Sequence, residues 1–205
     1  MRSFNPFVLF LSGPTASGKT GLSLEIARKL PVEIINADVG QFYKPLTVGT
    51  AKPDWENQTI PHHLFDILDE PRDFNVLEYR NLLLKKSKEI WDRGNIPLVV
   101  GGSLFYLKSL FYPPEDCGLM KPRALNDNWK EDALWERLFE IDPVRAGEIH
   151  PNDKYRIQRA LDIWESTGVK PSEFKPKFAP GFDFLFLFLE PDRKVLNGRI
   201  DARTT

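Results

Sequence analysis

The sequence predicts an α/β protein in which helices flank a parallel sheet and a small helical insert interrupts the alternation. Three observations carry this. Short apolar runs of strand length alternate with segments of helical period. A complete phosphate-loop motif stands between the first run and the first helix. The pattern then turns all-helical before a last phenylalanine-rich run. The expected organisation is a core of residues 1–112 and 180–205, interrupted by a helical insert over 113–179.

Each element has its own signal. Phe7 to Leu11 is an apolar run ended by Gly13 and Pro14, so it reads as a strand. Leu22, Leu24, Ile26, Ala27 and Leu30 then recur at helical spacing over 20–30. Val32 to Ala37 is a second apolar run, stopped by Asp38. Asn75 to Arg93 reads as a long helix, capped by Asn75 and stopped by Gly94. Ile96 to Val100 is another buried strand, and a helix through Phe111 follows with Ser103 or its neighbour as cap. Pro113 to Gly118 is turn-like, and the boundary is placed near Pro113. Trp129 to Phe139 and Asp153 to Thr167 have helical spacing, the second capped by Asn152 or Asp153 and closed by Gly168. Phe182 to Leu189 is too short for a core helix and rich in Phe, which predicts a final, central strand. Pro191 and Asp192 open a last helix.

Residues 13–20 read GPTASGKT, a full match to G-x-x-x-x-G-K-[ST] in the strand–helix context that the motif requires. Gly13, Pro14, Thr15, Ala16, Ser17 and Gly18 form the diphosphate-binding loop, in which Gly13 and Gly18 allow conformations that turn the loop's N–H groups, Pro14 having none, toward a phosphate at a helix N-terminus. Lys19 adds a point charge, and the Thr20 hydroxyl suits Mg²⁺. The loop makes the fold P-loop NTPase-like and predicts a bound di- or triphosphate. An NTPase of this kind holds its Mg²⁺ with an acid after a neighbouring strand. Here 96–100 ends in Gly101-Gly102-Ser103, and the acid is Asp38 after 32–37. In an open parallel sheet both ends lie at the ligand-binding rim. Asp38 and Ser103 are therefore candidates for proton handling, against the plainer readings of a turn aspartate and a helix cap.

Composition excludes other classes. Lys+Arg 28 against Asp+Glu 29 leaves a net charge of -1, so a broadly polycationic nucleic-acid binder is excluded and any nucleic acid must meet a local patch. One cysteine, Cys117, rules out a disulfide framework and suits a reducing cytoplasm. No apolar run reaches membrane-spanning length. His62 and His63 have no third ligand at zinc-like spacing and read as a hydrogen-bonded loop pair. The tryptophans read as core or interface residues.

The motifs in order resemble the tRNA dimethylallyltransferases. The phosphate loop is followed by Asp38-Val39-Gly40-Gln41-Phe42-Tyr43 and by Gly49-Thr50-Ala51-Lys52-Pro53. Then come Pro61-His62-His63-Leu64 with Asp66, Gly101-Gly102-Ser103 with Tyr106, His150 to Asp153 running into Arg156-Ile157-Gln158-Arg159-Ala160-Leu161, and Arg199-Ile200-Asp201-Ala202-Arg203.

The resemblance implies that dimethylallyl diphosphate, with Mg²⁺, occupies the phosphate loop, helped by Arg199 and Arg203. It implies that the acceptor is the exocyclic amine of an adenine beside the anticodon of tRNA. By the same resemblance Asp38 is the base and Ser103 supplies the family's hydroxyl. The tRNA contacts map to Asp38, Val39, Gly40 and Gln41 and to Tyr155, Arg156, Ile157, Gln158 and Arg159. A monomer is expected. Three departures stand out: Val39 in place of Ser, Leu104-Phe105 in place of Gly-Leu, and a chain that stops early beside typical members. Weak donor binding and low transfer are therefore expected of this chain. Competing expectations are a P-loop small-molecule kinase or adenylate isopentenyltransferase, and a non-catalytic truncated remnant.

Overall fold

The apolar runs form strands where their patterns place them. The computed structural model describes residues 6–72, 74–112 and 131–204. In it β1 (Phe7–Ser12), β2 (Val32–Asn36), β3 (His62–His63), β4 (Ile96–Val100) and β5 (Asp183–Phe188) form one sheet in the order β3-β2-β4-β1-β5. All the pairings are parallel. The strands alternate with α1 (Lys19–Lys29), α2 (Val76–Asp92), α3 (Leu104–Phe111) and α7 (Arg193–Thr204). A parallel sheet flanked by helices, with the phosphate loop leaving β1, is the expected P-loop NTPase-like architecture. The chain divides into two compact units, Met1–Leu110 with Pro180–Thr205, and Phe111–Ala179.

In the first unit the period-2 alternation of the strands sorts the core. Leu9, Leu11, Val32, Ile34 and Leu98 pack with Leu22, Leu24, Ile26 and Ala27 of α1. The alternate residues Val8, Phe10, Ile35 and Val99 are fully buried too, as a sheet covered on both faces requires. Asn75 caps α2 by accepting from the N–H groups of Leu77 and Glu78, both at 3.0 Å. The buried face of α2 is Tyr79, Leu83, Ser87 and Ile90, and Gly94 ends the helix at φ 78°.

A buried carboxylate ties the β3 side of the sheet together. Glu33 of β2 is 2% exposed. It accepts from Arg93 Nε at 2.9 Å, Arg93 Nη2 at 2.7 Å and Asn95 Nδ2 at 2.8 Å, and it lies 2.6 Å from His63 Nε2. Burial raises its pKa, but the bonds from Arg93, Asn95 and His63 outweigh that and hold it at about 2. His62 Nδ1 lies 2.7 Å from Ile60 O, so both histidines are hydrogen-bonded, as a two-residue strand rather than the loop that the sequence suggests.

Two expectations need correction. The run at 182–189 is a strand, but it lies at the sheet edge and pairs only with β1. Leu185 and Phe188 remain 50% exposed, so its apolar character does not reflect burial on both faces. The helix after Ser103 is present, but the Ser103 hydroxyl is turned to the neighbouring loop, where it accepts from Val39 N–H at 3.2 Å.

The second unit contains α4 (Glu131–Ile141), α5 (Pro143–Glu148) and α6 (Lys154–Thr167). The boundary at Pro113, Cys117 and the expected helix start at Trp129 lie outside the described residues. Leu138, Ala146, Ile149, Ile157, Ala160 and Leu161 form the unit's core. Helix α5 is too short for its periodicity to be read from sequence. It is set by buried Asp142, which accepts from Arg145 N at 3.0 Å and from Ser172 N at 2.7 Å and Ser172 Oγ at 3.0 Å. Asp153 caps α6 by accepting from Arg156 N, and Gly168 closes it at φ 69°.

The Glu33 network sets the acid limb of stability. Burial lowers the pKa of His63 below 6.5 against the pull of Glu33, so the unfolded chain takes up that proton first as pH falls. Glu33, folded at about 2 against an ordinary 4.5, then withdraws its contribution between about pH 4.5 and 2. Denaturation midpoints across pH 7 to 2 should fall in that order. Glu33→Gln should cost about 1–3 kcal/mol at pH 7 and flatten the lower part of the profile.

Candidate active site

The site lies at the carboxyl rim of the sheet, where β1, β2 and β4 end. Residue 101 allows them to converge. A Cβ on Gly101 would lie 2.1 Å from Ala37 O, so only bare backbone fits. The Gly101 carbonyl accepts from Ser12 Oγ at 2.8 Å and its N–H donates to Leu11 O at 3.2 Å. Ala37 N–H donates to Val100 O at 2.8 Å.

The phosphate loop runs from β1 into α1. Gly13 packs against Leu189, whose carbonyl would lie 2.6 Å from a Cβ at residue 13. Gly18 starts α1 in the left-handed region at φ 96°, and Ala16 is held at φ 62°, which costs a non-glycine residue energy. Lys19 Nζ donates to Gly13 O and Pro14 O, both at 2.8 Å. Burial lowers the Lys19 pKa, and the negative charge of Asp38 opposes that shift. Ser17 Oγ is buried without a hydrogen-bond partner, a polar atom free to donate to a ligand oxygen. Arg199 reaches across from α7 and donates from Nη1 to Ala16 O at 3.2 Å. Arg203 lies one turn further along α7.

Asp38 is held by its neighbours. Buried Asn36 accepts from Asp38 N–H at 2.9 Å and donates from Nδ2 to Asp38 O at 3.2 Å and Leu64 O at 3.1 Å. Its own carbonyl accepts from Tyr79 OH at 3.1 Å. Asp38 Oδ1 accepts from Gly40 N–H at 3.1 Å and so caps a 3-10 turn over Val39–Phe42. The turn-aspartate reading is thus correct in local geometry, and it leaves Oδ2 for other work.

Thr15 to Thr20, Asp38, Gln41, Gly49, Thr50, Ala51 and Arg199 line one cavity of about 630 Å³. The structure therefore brings together the phosphate loop, Asp38, Gln41 and Arg199. Ser103 supports Val39 from behind, and position 39 contributes its backbone N–H to that bond. Tyr155, Arg156, Ile157, Gln158 and Arg159 lie on α6 of the second unit. Tyr155 is 63% exposed, and exposed Arg156 pairs with Asp153 at 3.3 Å. Gln158 donates to Asp162 Oδ1 at 2.9 Å. Arg159 is largely buried, with Nη1 3.9 Å from Asp162 Oδ2. Ile157 is a correction: at 1% exposure it belongs to the core of its unit and anchors the helix instead of presenting a contact. The sequence reading gave no role to Asn36, Thr50, Lys52 or Asp66; the signal for the last three was the segment around Gly49 to Pro53 with Asp66.

The Thr20 hydroxyl is a hard oxygen donor facing the cavity beside the phosphate loop, and it fits Mg²⁺ held jointly with a phosphate.

The IPP transferase family model matches residues 41–205. The chain belongs to the IPP transferase family. Among curated IPP transferase relatives, it is 41% identical to a tRNA dimethylallyltransferase of Nitrosomonas europaea, over 97% of this chain and 66% of that protein. It is 40% identical to that of Nitrosospira multiformis, over 97% of this chain and 65% of that protein. The structure resembles that of a eukaryotic dimethylallyltransferase acting on tRNA, with TM-score 0.80 and 34% identity, over 96% of this chain and 51% of that one. The chain thus spans about two thirds of the length of these curated relatives.

Because residue 101 admits no side chain, Gly101→Ala should lower stability by about 3 kcal/mol through a forced separation of β4 from the β2 end. A urea titration should show the midpoint falling.

Proposed function

We propose that the protein transfers a dimethylallyl group from dimethylallyl diphosphate to the exocyclic amine of an adenine next to the anticodon of tRNA, releasing diphosphate. The observation that carries this reading is one cavity with a phosphate loop on one wall and Asp38, not a residue after β4, as its acid. A kinase of this fold takes its Mg²⁺-ordering carboxylate from a strand beside the phosphate-loop strand. Here β4 is such a strand, and the contact of Gly101 with Ala37 forbids any side chain at residue 101. The names of the curated relatives and of the structural neighbour support the same transfer.

In the proposed reaction the diphosphate lies on the N–H groups of residues 15–20, with Lys19, Ser17 and Arg199 around it. As the bond from the allyl carbon to the diphosphate oxygen breaks, these groups stabilise the charge that builds on the leaving oxygens. The adenine nitrogen forms the new bond to that carbon and its proton passes to Asp38, whose position Asn36 fixes. Mg²⁺ held by the Thr20 hydroxyl would add charge compensation on the phosphate oxygens. Gln41 lines the acceptor side of the cavity, and exposed Tyr155 and Arg156 on α6 suit stacking and phosphate contact with an RNA loop.

Two substitutions test the reading. Lys19→Ala should abolish most dimethylallyl diphosphate binding while leaving the thermal melt nearly unchanged, because its bonds are made to loop carbonyls at the surface of the site. Asp38→Asn keeps an acceptor for Gly40 N–H and should lower single-turnover transfer by about 10²–10⁴-fold with donor affinity near wild type. Equal loss of donor affinity in Asp38→Asn would identify the residue as a metal holder and return the kinase reading.

A further inference from the structure

The cavity wall formed by Gly49, Thr50 and Ala51 belongs to a surface segment that a buried ammonium ties down. Lys52 has a side chain only 4% exposed. Its Nζ donates to Tyr43 O at 2.8 Å and Lys44 O at 3.4 Å, and it pairs with Asp66 Oδ1. Those three acceptors use the three donors of an ammonium. Asp66 is anchored in turn. Its Oδ2 accepts from Trp55 Nε1 at 3.0 Å, its backbone is held at φ 51°, and its N–H donates to Gln41 O at 3.2 Å. Gln41 closes the ring, since its Nε2 donates to Thr50 O at 3.1 Å. Thr50 Cγ2 would lie 2.7 Å from a Cβ on Gly40, so the segment is pressed onto the turn that carries Asp38.

We propose that Lys52 is a positioning residue for the acceptor nucleobase: through Asp66 and the Tyr43 carbonyl it fixes Gly49, Thr50 and Ala51 against Gln41, so that the base meets a pre-set wall beside Asp38. The proposal rests on the transfer reading above and deepens it. Three features make Lys52 a clamp instead of a ligand. Its ammonium is fully spent on protein acceptors, its side chain does not line the cavity, and its chain neighbours Gly49, Thr50 and Ala51 do. The donor side is built from a different stretch, 13–20 with Arg199, so loosening 44–51 should affect acceptor and donor unequally. Displacing a positioning wall by about 1 Å costs up to about 100-fold in rate.

The test compares Lys52→Met with Lys52→Met/Asp66→Asn. Four quantities are measured: amide hydrogen exchange, dimethylallyl diphosphate affinity, the thermal melt, and transfer to unmodified tRNA. In Lys52→Met, exchange over 44–51 should rise while exchange over 13–20 stays protected. Donor affinity should stay within about twofold, and kcat/KM for tRNA should fall about 10- to 100-fold. The double variant no longer buries an unpaired carboxylate, so it should regain much of the lost melting temperature. It should not regain transfer, because the bond to Tyr43 O is still missing. Transfer recovering together with stability would reduce Lys52 to charge compensation and overturn the proposal. So would loosened exchange with transfer unchanged. A wild-type protein that binds the donor yet transfers nothing to tRNA would instead sink the transfer reading, and the role assigned to Lys52 with it.

Discussion

The site depends on a place where no side chain fits. At the end of β4 the backbone of Gly101 lies against the carbonyl of Ala37, and its own carbonyl and N–H are taken by Ser12 and Leu11. Three strand ends therefore converge on bare peptide. A larger residue would separate β4 from the segment that carries Asp38.

Around that point the polar groups form two shells with different tasks. Asn36 uses both ends of its amide on the backbone of Asp38 and Leu64, and Tyr79 donates to its carbonyl, so the carboxylate is presented by buried, satisfied groups. Lys52, Asp66 and Trp55 do the same for the segment over 44–52. Four residues of this region, Ala16, Ala51, Leu64 and Asp66, sit at positive φ without being glycine. Such strain persists only where surrounding bonds over-determine the backbone, and here two of the four, Ala16 and Ala51, line the cavity. Lys19 joins the two walls electrically: burial works against its charge and Asp38 restores part of it.

The second unit follows a plainer logic. Its helices α4, α5 and α6 close on Leu138, Ile157 and Leu161, and the buried carboxylate of Asp142 ties the start of α5 to Ser172. Helix α6 divides its residues between that core and solvent. Ile157 faces inward, while Tyr155 and Arg156 remain available for contact with a partner of opposite chemistry.

The sequence by itself determined what depends on local chemistry. Its apolar runs and helical periods placed the long elements, Asn75 and Gly94 marked the ends of α2, and GPTASGKT between strand and helix marked the phosphate loop. It also singled out Asp38, because the glycines after β4 left no acid there. Only the tertiary structure decided what depends on distant partners. Strand order put the most apolar run, β5, at an edge, because period and composition are blind to which neighbours a strand finds. The Ser103 hydroxyl went to Val39, 64 residues away, instead of capping its own helix. The same holds for Lys52 and Asp66, whose pairing is invisible to any local pattern because the two charges become partners only when the segment between them folds back.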